Sequence, residues 1–345
     1  MRGYSLASFT SAVSTYAGRK CFGERMTNPA RRIEDPHDQR DQRAAAFEAH
    51  RALLFSIAYR MLGSASEAED VVQDAYLRFA AAAPEELRSL RAWLSTVVTR
   101  LCLDRLKSAQ TRREQYVGPW LPEPVVNPDR EPSLARAVEQ RESTTLAFLL
   151  LLESLTPQER AVFVLREAFD YEYGEIADML DLTPANCRQL FHRAKARLKE
   201  RQHRPRFHAS RAHHRRLVES FASAMQSGDA ARLQQLLAAD VVFTADGGGK
   251  ATSATKPIYG RDDVTKMVVG LWRQAGVLNK AAGPEDQLTL TMERVNGLTA
   301  IAGWRGKNLE TLFTFVEAGD HGITAIDVIR NPDKLAFIKR ELASV

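Results

Sequence analysis

The sequence predicts a multi-domain chain in which two all-α domains are followed by one α+β domain. At 345 residues, the chain exceeds the usual size of a single domain. Apolar residues recur at helical spacing from Phe47 to Leu198, with one proline-rich interruption. Beyond residue 217, short alternating runs separated by glycine-containing turns predict β-strands. We therefore expect domains at 46–115, 141–202 and 217–345, joined by linkers at 116–140 and 203–216.

Charge is unevenly distributed along the chain. The composition, 44% hydrophobic and 26% charged with a net charge of +5, is typical of a soluble globular protein. Positive residues collect in 91–113 and 188–216, whereas 67–74 is acidic, which predicts separate partners, one of them polyanionic. No apolar run reaches the length of a membrane span, so we expect no membrane contact.

The three cysteines are scattered, at Cys21, Cys102 and Cys187, with no spacing typical of a metal site. Reduced thiols in a cytoplasmic protein are the expected state, and no metal is expected. Residues 1–45 are predicted to be a disordered extension, because 29–43 is dense in charged residues and proline. The extension has no apolar core typical of a signal peptide, and the start of translation, Met1 or Met26, stays open.

The first helical domain is predicted to contain an acidic helix followed by a basic one. Gly63 ends an apolar helix, and Ser64 or Ser66 caps the next, whose first turn carries acidic side chains. After a loop at about 81–89, a helix over 90–110 combines an apolar face with basic residues on its exposed side and exit. These basic residues are Arg91, Arg100, Arg105, Lys107, Arg112 and Arg113.

The second helical domain is predicted to hold a helix-turn-helix at 155–198. Thr156 and Glu159 form a capping box around Pro157, and Thr183 with Pro184 opens the last helix. A basic second helix fits the major groove of DNA, where its side chains can read base edges. Its outward residues are Arg188, Gln189, His192, Arg193 and Lys195. A plain helical hairpin with a solvated basic face is the alternative.

Two motifs of the helical domains resemble a known family. SEAEDVVQDAYLRF, followed after a loop by RAWLSTVVTRLCLDRLKSAQTRRE, resembles region 2 of a sigma-70 factor of the extracytoplasmic-function group. Residues 155–198 resemble region 4 of that group. The resemblance implies an alternative sigma factor that directs bacterial RNA polymerase core to specific promoters, with no cofactor.

The resemblance also implies a role for each helix. The acidic helix would dock on the β′ clamp helices through Glu67, Glu69, Asp70, Gln73 and Asp74. The basic helix of region 2 would melt and read the −10 element, and region 4 would read the −35 element and hold the β flap. Trp93 fits either a stacking site for an extruded base or the helix core, and its position favours the core.

The linker between the helical domains contains VGPWLPEP at 117–124, whose prolines predict an extended, stiff segment. Trp120 and Leu121 are large apolar residues that a bare linker does not need, so we expect them to dock on another surface. The second linker, 203–216, is rich in arginine and histidine. It fits either a contact to DNA backbone or a solvated connector.

The third domain is predicted to be a curved antiparallel sheet packed by helices on one side. Helices are expected at 217–226, 230–238, 260–274 and from Pro332, and strands at 241–245, 288–294, 298–304, 309–317 and 323–329. This order resembles the SnoaL-like cone fold. With the sigma motifs, the chain resembles the SigJ-like sigma-factor subfamily, whose fused SnoaL-like domain stands in for a separate anti-sigma protein and contacts the linker motif.

Three short motifs carry the subfamily resemblance, and we expect an interdomain regulatory role for them. They comprise Trp120, Leu121, Pro122, Glu123 and Pro124; Asp246, Gly247, Gly248, Gly249 and Lys250; and Asn331, Pro332, Asp333 and Lys334. The linker motif is predicted to dock near the glycine loop, with Glu123 facing Lys250. The glycines would permit close backbone approach, since GGGK lacks the spacing of a phosphate-binding loop.

Alternatives remain for the third domain. A SnoaL-like enzyme or ligand sensor fused to a DNA-binding module would use Asp246 for proton transfer, with Tyr259, Trp304 and Asp327 nearby. No acid–base pair is visible in the sequence, and His321 lies in a predicted turn. Regulation or ligand sensing, with an unidentified ligand, is therefore the favoured interpretation. A DNA-binding regulator that acts without polymerase is the third possibility.

Overall fold

The computed structural model describes residues 36–82, 89–114, 116–126, 145–201, 210–281, 283–317 and 322–343. The chain divides into two compact units, residues 1–42 and 43–345, and the contacts below lie in the second. Several sequence predictions fall outside the described residues. They concern the N-terminal extension up to residue 35, most of the 81–89 loop, the linker beyond Val126, residues 203–209, and His321. The prediction of a disordered extension is wrong for residues 36–45, because the first helix already begins at Pro36.

The first helical domain consists of α1 (Pro36–Leu62), α2 (Ala65–Ala81) and α3 (Leu90–Glu114). Gly63 ends α1 with a positive φ of 68°, and Ser64 caps α2 by accepting a hydrogen bond from the Glu67 amide. Trp93 is half-buried against the core, with its ring 6.4 Å from that of Phe79. Its packing favours the core role over a stacking site.

The second helical domain contains α4 (Leu146–Leu152), α5 (Pro157–Phe163), a π-helical turn (Val164–Ala168), α6 (Tyr173–Leu180) and α7 (Pro184–Arg201). The predicted capping box is present, because Thr156 and Glu159 each accept a hydrogen bond from the other's amide. The α6–α7 turn passes through Asp181 in the left-handed region, with φ of 57°. The predicted helix-turn-helix is confirmed, whereas the π-helical turn was not predicted.

The third domain contains α8 (Arg211–Ser227), α9 (Ala230–Leu236), β1 (Leu237–Asp246), β2 (Ile258–Tyr259) and α10 (Arg261–Ala281). It continues with β3 (Leu288–Val295), β4 (Leu298–Arg305), β5 (Asn308–Glu317), β6 (Ile323–Ile329) and α11 (Pro332–Ala343). The predicted α+β class is confirmed. However, α8 begins six residues before the predicted helix, so the end of the predicted basic linker is helical.

The six strands form one sheet in the order β2-β1-β6-β5-β4-β3. The prediction of an antiparallel sheet is wrong for one pair of strands, since β1 and β6 pair in parallel. Periodicity defines each strand but not its partner, and these two strands are far apart in sequence. The parallel pair places the carboxyl ends of β1 and β6 side by side, so that Asp246 lies next to Ile329 and the start of α11.

Both faces of the sheet are covered, although helices were predicted on one side only. Phe243, Phe313 and Ile326 pack in one core with the helices α8, α9 and α10. Leu312 and Ile329, which point the other way, belong to a core shared with α11 and the two helical domains. The third domain therefore packs directly against the rest of the second unit.

Candidate functional site

The outward face of α7 carries the residues predicted to read DNA. Leu190 and Ala194 are buried, whereas the predicted reading residues Arg188, Gln189, His192, Arg193 and Lys195 are exposed. Two of these cations have acidic neighbours in the protein. Arg193 lies 3.9 Å from Glu159, and Lys195 lies 3.3 Å from Glu167. The first half of the face, Arg188, Gln189 and His192, has no such acidic neighbour among the described residues.

The basic residues of α3 have different environments. Arg91 is exposed, with its guanidinium 5.5 Å from the centre of the Tyr171 ring, and Lys107 lies 3.4 Å from Asp104. The side chains of Arg112 and Arg113 lie outside the described part of the chain. Arg91 and Lys107 are therefore accessible to a nucleic acid.

Arg105 is held within its own domain. Its guanidinium donates to Asp74 at 2.9 Å and to the Glu67 carbonyl at 3.1 Å, and it lies 3.6 Å from Asp70. The prediction that Arg105 holds DNA phosphates is therefore not favoured, because two of the acids predicted to meet polymerase already occupy it. Sequence periodicity could not show this, since α2 and α3 meet only in three dimensions.

The acidic side chains of α2 form an accessible surface. Asp70 and Gln73 are exposed, and Glu67, Glu69 and Asp74 are half-buried. Leu77, one turn beyond Gln73, is 61% exposed, which adds an apolar side chain to this surface. Arg340 of α11 approaches Glu69 at 3.8 Å. The surface suits a partner that is basic and partly apolar.

The two helical domains are in direct contact. Ser95 of α3 and Tyr171 share a hydrogen bond of 2.8 Å between hydroxyls, and Arg100 donates to the Met179 carbonyl of α6 at 3.0 Å. Arg160 of α5 donates to the Met61 carbonyl of α1 at 2.8 Å, and burial lowers its pKa to about 9. Arg100, predicted to contact DNA, is thus engaged by the other helical domain.

Residues 116–126, which we call the docked segment, run between the helical domains and the third domain. The Asp246 carboxylate is fully buried and accepts from the Tyr116 hydroxyl at 2.6 Å, the Leu121 amide at 2.8 Å and the Lys334 ammonium at 2.6 Å. Lys334 also donates to the Leu121 carbonyl. One buried ion pair thereby holds both the amide and the carbonyl of a linker residue.

Aromatic rings close around that ion pair. The Lys334 ammonium lies 4.4 Å from the centre of the Trp120 ring and 4.9 Å from that of Tyr116. Such distances are typical of cation–π contacts. Asn331 donates to the Tyr116 hydroxyl at 2.8 Å, and burial together with the Asp246 hydrogen bond raises the pKa of Tyr116 above its ordinary value. The site is an apolar cage with a fully partnered charge pair.

The glycine loop lies against the docked segment. Gly248 and Gly249 have φ values of 58° and 71°. A Cβ at Gly248 would come within 2.2 Å of Asn331 and 2.9 Å of the Tyr116 hydroxyl, and one at Gly249 would touch Val117. These positions need glycine both for the backbone conformation and for the close approach.

Glu123 faces the first helical domain, so the prediction that it faces Lys250 is wrong. Its carboxylate accepts from the Ser64 hydroxyl at 2.7 Å and from the Ser66 amide at 2.9 Å. Lys250 instead pairs with Asp333. The amino end of α2 offers the Glu123 carboxylate unpaired N–H donors and the positive end of the helix dipole. These groups stabilise a buried carboxylate better than an exposed lysine on the other side of the segment.

The backbone of the docked segment is also paired. The Glu123 amide donates to the Gly63 carbonyl at 2.8 Å, and the Tyr59 hydroxyl donates to the Glu123 carbonyl at 2.6 Å. Asn296 and Val125 exchange two hydrogen bonds, of 2.9 and 3.1 Å. Asn296 donates further to Tyr59 at 2.8 Å, which connects the third domain to α1.

Sequence reasoning missed Tyr59, Tyr116 and Asn296. Tyr59 reads as one more residue of an apolar helix, and Asn296 reads as half of an Asn-Gly turn. That turn is present, with φ of 49° at Asn296, but its side chain also binds the linker. Tyr116 stands directly before the proline-rich stretch, and its aromatic character beside Trp120 was the available signal.

The candidates for proton transfer have different environments in the third domain. Asp246 is occupied by three donors from the segment and α11, and Tyr259 is 67% exposed on β2. The Trp304 indole donates to Thr291, and Asp327 is buried on β6, where burial raises its pKa to about 7. Among the described residues, no cluster of His, Cys, Asp or Glu could hold a metal ion.

No helix in the part of the chain that the structure describes is long and apolar enough to cross a bilayer.

Most of the chain matches known proteins. Residues 46–112 match the family Sigma-70 region 2, and residues 145–198 match Sigma-70, region 4. The chain is 36% identical to the ECF RNA polymerase sigma factor SigJ of Mycobacterium tuberculosis, over 84% of this chain and 91% of that protein. It is 33% identical to the probable ECF RNA polymerase sigma factor SigI of the same organism, over 88% and 98%.

A solved structure shows the same architecture. The crystal structure of the Mycobacterium tuberculosis extracytoplasmic function sigma factor SigJ superimposes with a TM-score of 0.67 at 32% sequence identity. The match covers 85% of this chain and 98% of that one, so it includes the helical domains and the α+β domain together.

Proposed function

Since this chain belongs to the extracytoplasmic-function RNA polymerase sigma factors, we propose a specific task for each of its three domains. The chain is an alternative sigma factor that directs RNA polymerase to promoters. In the proposal, α7 reads the −35 element through Arg188, Gln189 and His192, which are exposed and have no acidic neighbour among the residues that the structure describes. The basic side of α3 meets the −10 region, with Arg91 and Lys107 accessible.

We further propose that polymerase binds two surfaces of the helical domains. The α2 surface, acidic around the exposed Leu77, meets the β′ clamp helices, whereas the second helical domain meets the β flap. Both contacts belong in the cytoplasm, where the polymerase works. Asp70, Gln73 and Leu77 lie at helical spacing on one face, which supports a docking role for that face.

Regulation in cis is the proposed role of the third domain, and the docked segment is the observation that carries it. The linker that joins the two promoter-reading domains is hydrogen-bonded to Asp246 and Lys334 on one side and to α1 and α2 on the other. A linker held in this way sets the relative position of the domains it joins. A change in docking free energy would therefore change the population of arrangements that fit a promoter.

The docked arrangement is proposed to be closed to the −10 element. Arg100 donates to Met179, and Ser95 bonds with Tyr171, so this part of α3 is occupied by the second helical domain. The Met179 carbonyl accepts from the Nε–H of Arg100, which holds the guanidinium against α6 and away from a separate path for the DNA strand. Opening would require these contacts to break, and release of the segment would permit it.

Run-off transcription with polymerase core tests the proposal. The wild-type chain should give product from a cognate promoter and none from a promoter with a substituted −35 element. The Trp120→Ala variant should change the amount of product without changing which promoter is used. Absence of promoter-dependent product from the wild-type chain would contradict the proposal.

No contact described above favours an enzymatic third domain. The strongest candidate for a catalytic residue, Asp246, accepts hydrogen bonds from the docked segment. We therefore propose that this carboxylate binds the segment. Removal of the segment's hydrogen bonds would be required before Asp246 could meet a substrate.

A further inference from the structure

The first turns of α8 carry a surface of exposed basic residues. These residues are Arg211, His213, Arg215 and Arg216, which we call the α8 basic surface. The opposite side of the helix is buried in the third domain through His214, Val218 and Phe221. The surface is therefore held on a rigid element, and only its outward side is available to a partner.

These cations stand where a helix disfavours them. The amino end of a helix carries a partial positive charge, so cations there lower helix stability. Five other helices of the chain begin with acidic side chains, at Glu67, Glu159, Glu175, Asp262 and Asp333. The helix α8, like α3, α4, α7 and α9, has no acid in its first turn, and its amino end is capped by Ser210. Local stability does not account for the basic residues.

Internal pairing does not account for them either. Arg215 donates to Glu219 one turn later at 2.7 Å, with both side chains exposed to solvent. Arg211 and Arg216 make no ion pair within the part of the chain that the structure describes. Arg211 lies in the first turn of α8 and Arg216 in the second. An external polyanion would stabilise both guanidinium groups.

The position of the surface in the chain indicates which polyanion. Eight residues separate Arg201, at the end of α7, from Ser210, which makes nine steps between consecutive Cα atoms. They can span roughly 30 Å at most when fully extended, which is less than the roughly 34 Å of one turn of DNA. When α7 lies in the major groove, the start of α8 is therefore within one helical turn of that groove.

We propose that the α8 basic surface binds the phosphate backbone of promoter DNA upstream of the element that α7 reads. This inference rests on the proposed function of α7 and assigns the third domain a direct DNA contact of its own. Arg211 and Arg216 bind phosphates, while Arg215 remains shared with Glu219. The contact carries no base preference, because backbone contacts position a protein without reading sequence.

The test compares two promoter duplexes in binding assays with the full chain and polymerase core. One duplex ends at the upstream edge of the −35 element, and the other continues upstream by about 15 base pairs, somewhat more than one helical turn. Wild-type complexes should bind the longer duplex more tightly, with a dependence on salt steeper by about two units. Arg211→Ala/Arg216→Ala should lose that gain and bind the shorter duplex as the wild type does.

Arg273→Ala provides the matched control, since Arg273 is an exposed arginine on α10 of the same domain. It should retain the full gain from the longer duplex. The double variant should be at least as stable as the wild type in thermal unfolding, because removal of cations from a helix start is favourable. Loss of binding without loss of stability distinguishes a DNA contact from damage to the fold.

Three results would overturn the inference. The wild type could show no gain from upstream DNA, the double variant could weaken both duplexes equally, or it could lose affinity for polymerase core in the absence of DNA. The last result would assign the surface to an acidic region of polymerase. Failure of the proposed function looks different, since wild-type complexes would then show no preference for promoter over non-promoter DNA in either duplex.

Discussion

The two ends of the docked segment are held by different chemistry. At the third domain, the buried ion pair of Asp246 and Lys334 binds the amide and the carbonyl of Leu121. The rings of Tyr116 and Trp120 pack against the Lys334 ammonium. At the first helical domain, the Glu123 carboxylate accepts from the hydroxyls of Ser64 and Ser66 and from the Ser66 amide, and no cation pairs with it among the described residues.

This difference indicates which end is released more easily. When the segment leaves the third domain, Asp246 and Lys334 stay paired with each other, but the pair loses its hydrogen bonds to Tyr116 and Leu121 and its contact with the Trp120 ring. Hydrogen bonds to buried charged groups are costly to lose. The hydrogen bonds around Glu123 can be exchanged for bonds to water as the segment leaves, at a smaller net cost. We expect the end at α2 to release first and the end at the third domain to act as the anchor.

Removal of the anchoring cation should have the largest effect. Lys334→Ala leaves the Asp246 carboxylate buried without its cation and should lower the free energy of unfolding by about 3–5 kcal/mol. Lys250→Ala is the matched control, because its pair with Asp333 is exposed and is expected to contribute about 0–1 kcal/mol. Urea denaturation of both variants measures the difference. Equal losses would show that the buried pair is no stronger than a surface pair.

The glycine loop should show the next largest effect. Gly248→Ala forces a Cβ into Asn331 and Tyr116 and should cost about 2–3 kcal/mol, part of it from the left-handed backbone. Gly228→Ala separates the two causes, since Gly228 has φ of 68° and would meet nothing within 4 Å. It should cost about 1 kcal/mol. Similar denaturation midpoints for the two variants would mean that close approach to the segment contributes nothing.

The end at α2 should be less sensitive. Glu123→Gln keeps the shape of the side chain but removes its charge, so its hydrogen bonds to Ser64 and Ser66 weaken. We expect a loss of about 1–2 kcal/mol in unfolding free energy. Glu310→Gln, which removes a carboxylate from the half-exposed pair with Arg305, should lose less and serves as the control. A loss for Glu123→Gln as large as that of Lys334→Ala would remove the distinction between the two ends.

The smallest effect on stability is expected on the reading surface, outside the segment. Arg188→Ala should leave the unfolding free energy almost unchanged, because the side chain is exposed and its nearest ring contact is 5.9 Å away, at Tyr173. It should weaken promoter choice by about 1–3 kcal/mol at one base position. A promoter library with single-base substitutions measures this. Unchanged preference at every position would reject Arg188 as a reading residue.

Local patterns predicted much of this fold. Apolar spacing and caps located α2, α5 and α6, and the Asn-Gly and Gly-Lys turns separated β3, β4 and β5. The parallel pairing of β1 with β6 could not be predicted in this way, because strand partners depend on contacts between residues distant in sequence. The same holds for Arg105, whose acidic partners lie on another helix.

The candidate site was also predictable only where the signal is local in sequence. Trp120 and Leu121 stood out because large apolar residues among prolines need a surface, and the glycines after Asp246 indicated close approach. The structure brings both stretches together. The predicted partner of Glu123 was wrong because a charged residue in a linker sequence does not reveal which neighbouring domain its side chain faces. Tyr59 contributes through a single hydroxyl on an otherwise apolar helix face, and nothing local distinguishes it.

We propose that docking of the segment on the third domain controls the promoter-reading domains. A double-mutant cycle between Trp120→Ala and Lys334→Ala tests it most directly, with run-off transcription at equal protein concentration and unfolding free energy as the two readouts. We predict a coupling of more than about 0.5 kcal/mol in both readouts, because the Lys334 ammonium and the Trp120 ring are in contact. Effects on transcription that add within about 0.3–0.5 kcal/mol, despite coupling in stability, would contradict control by docking.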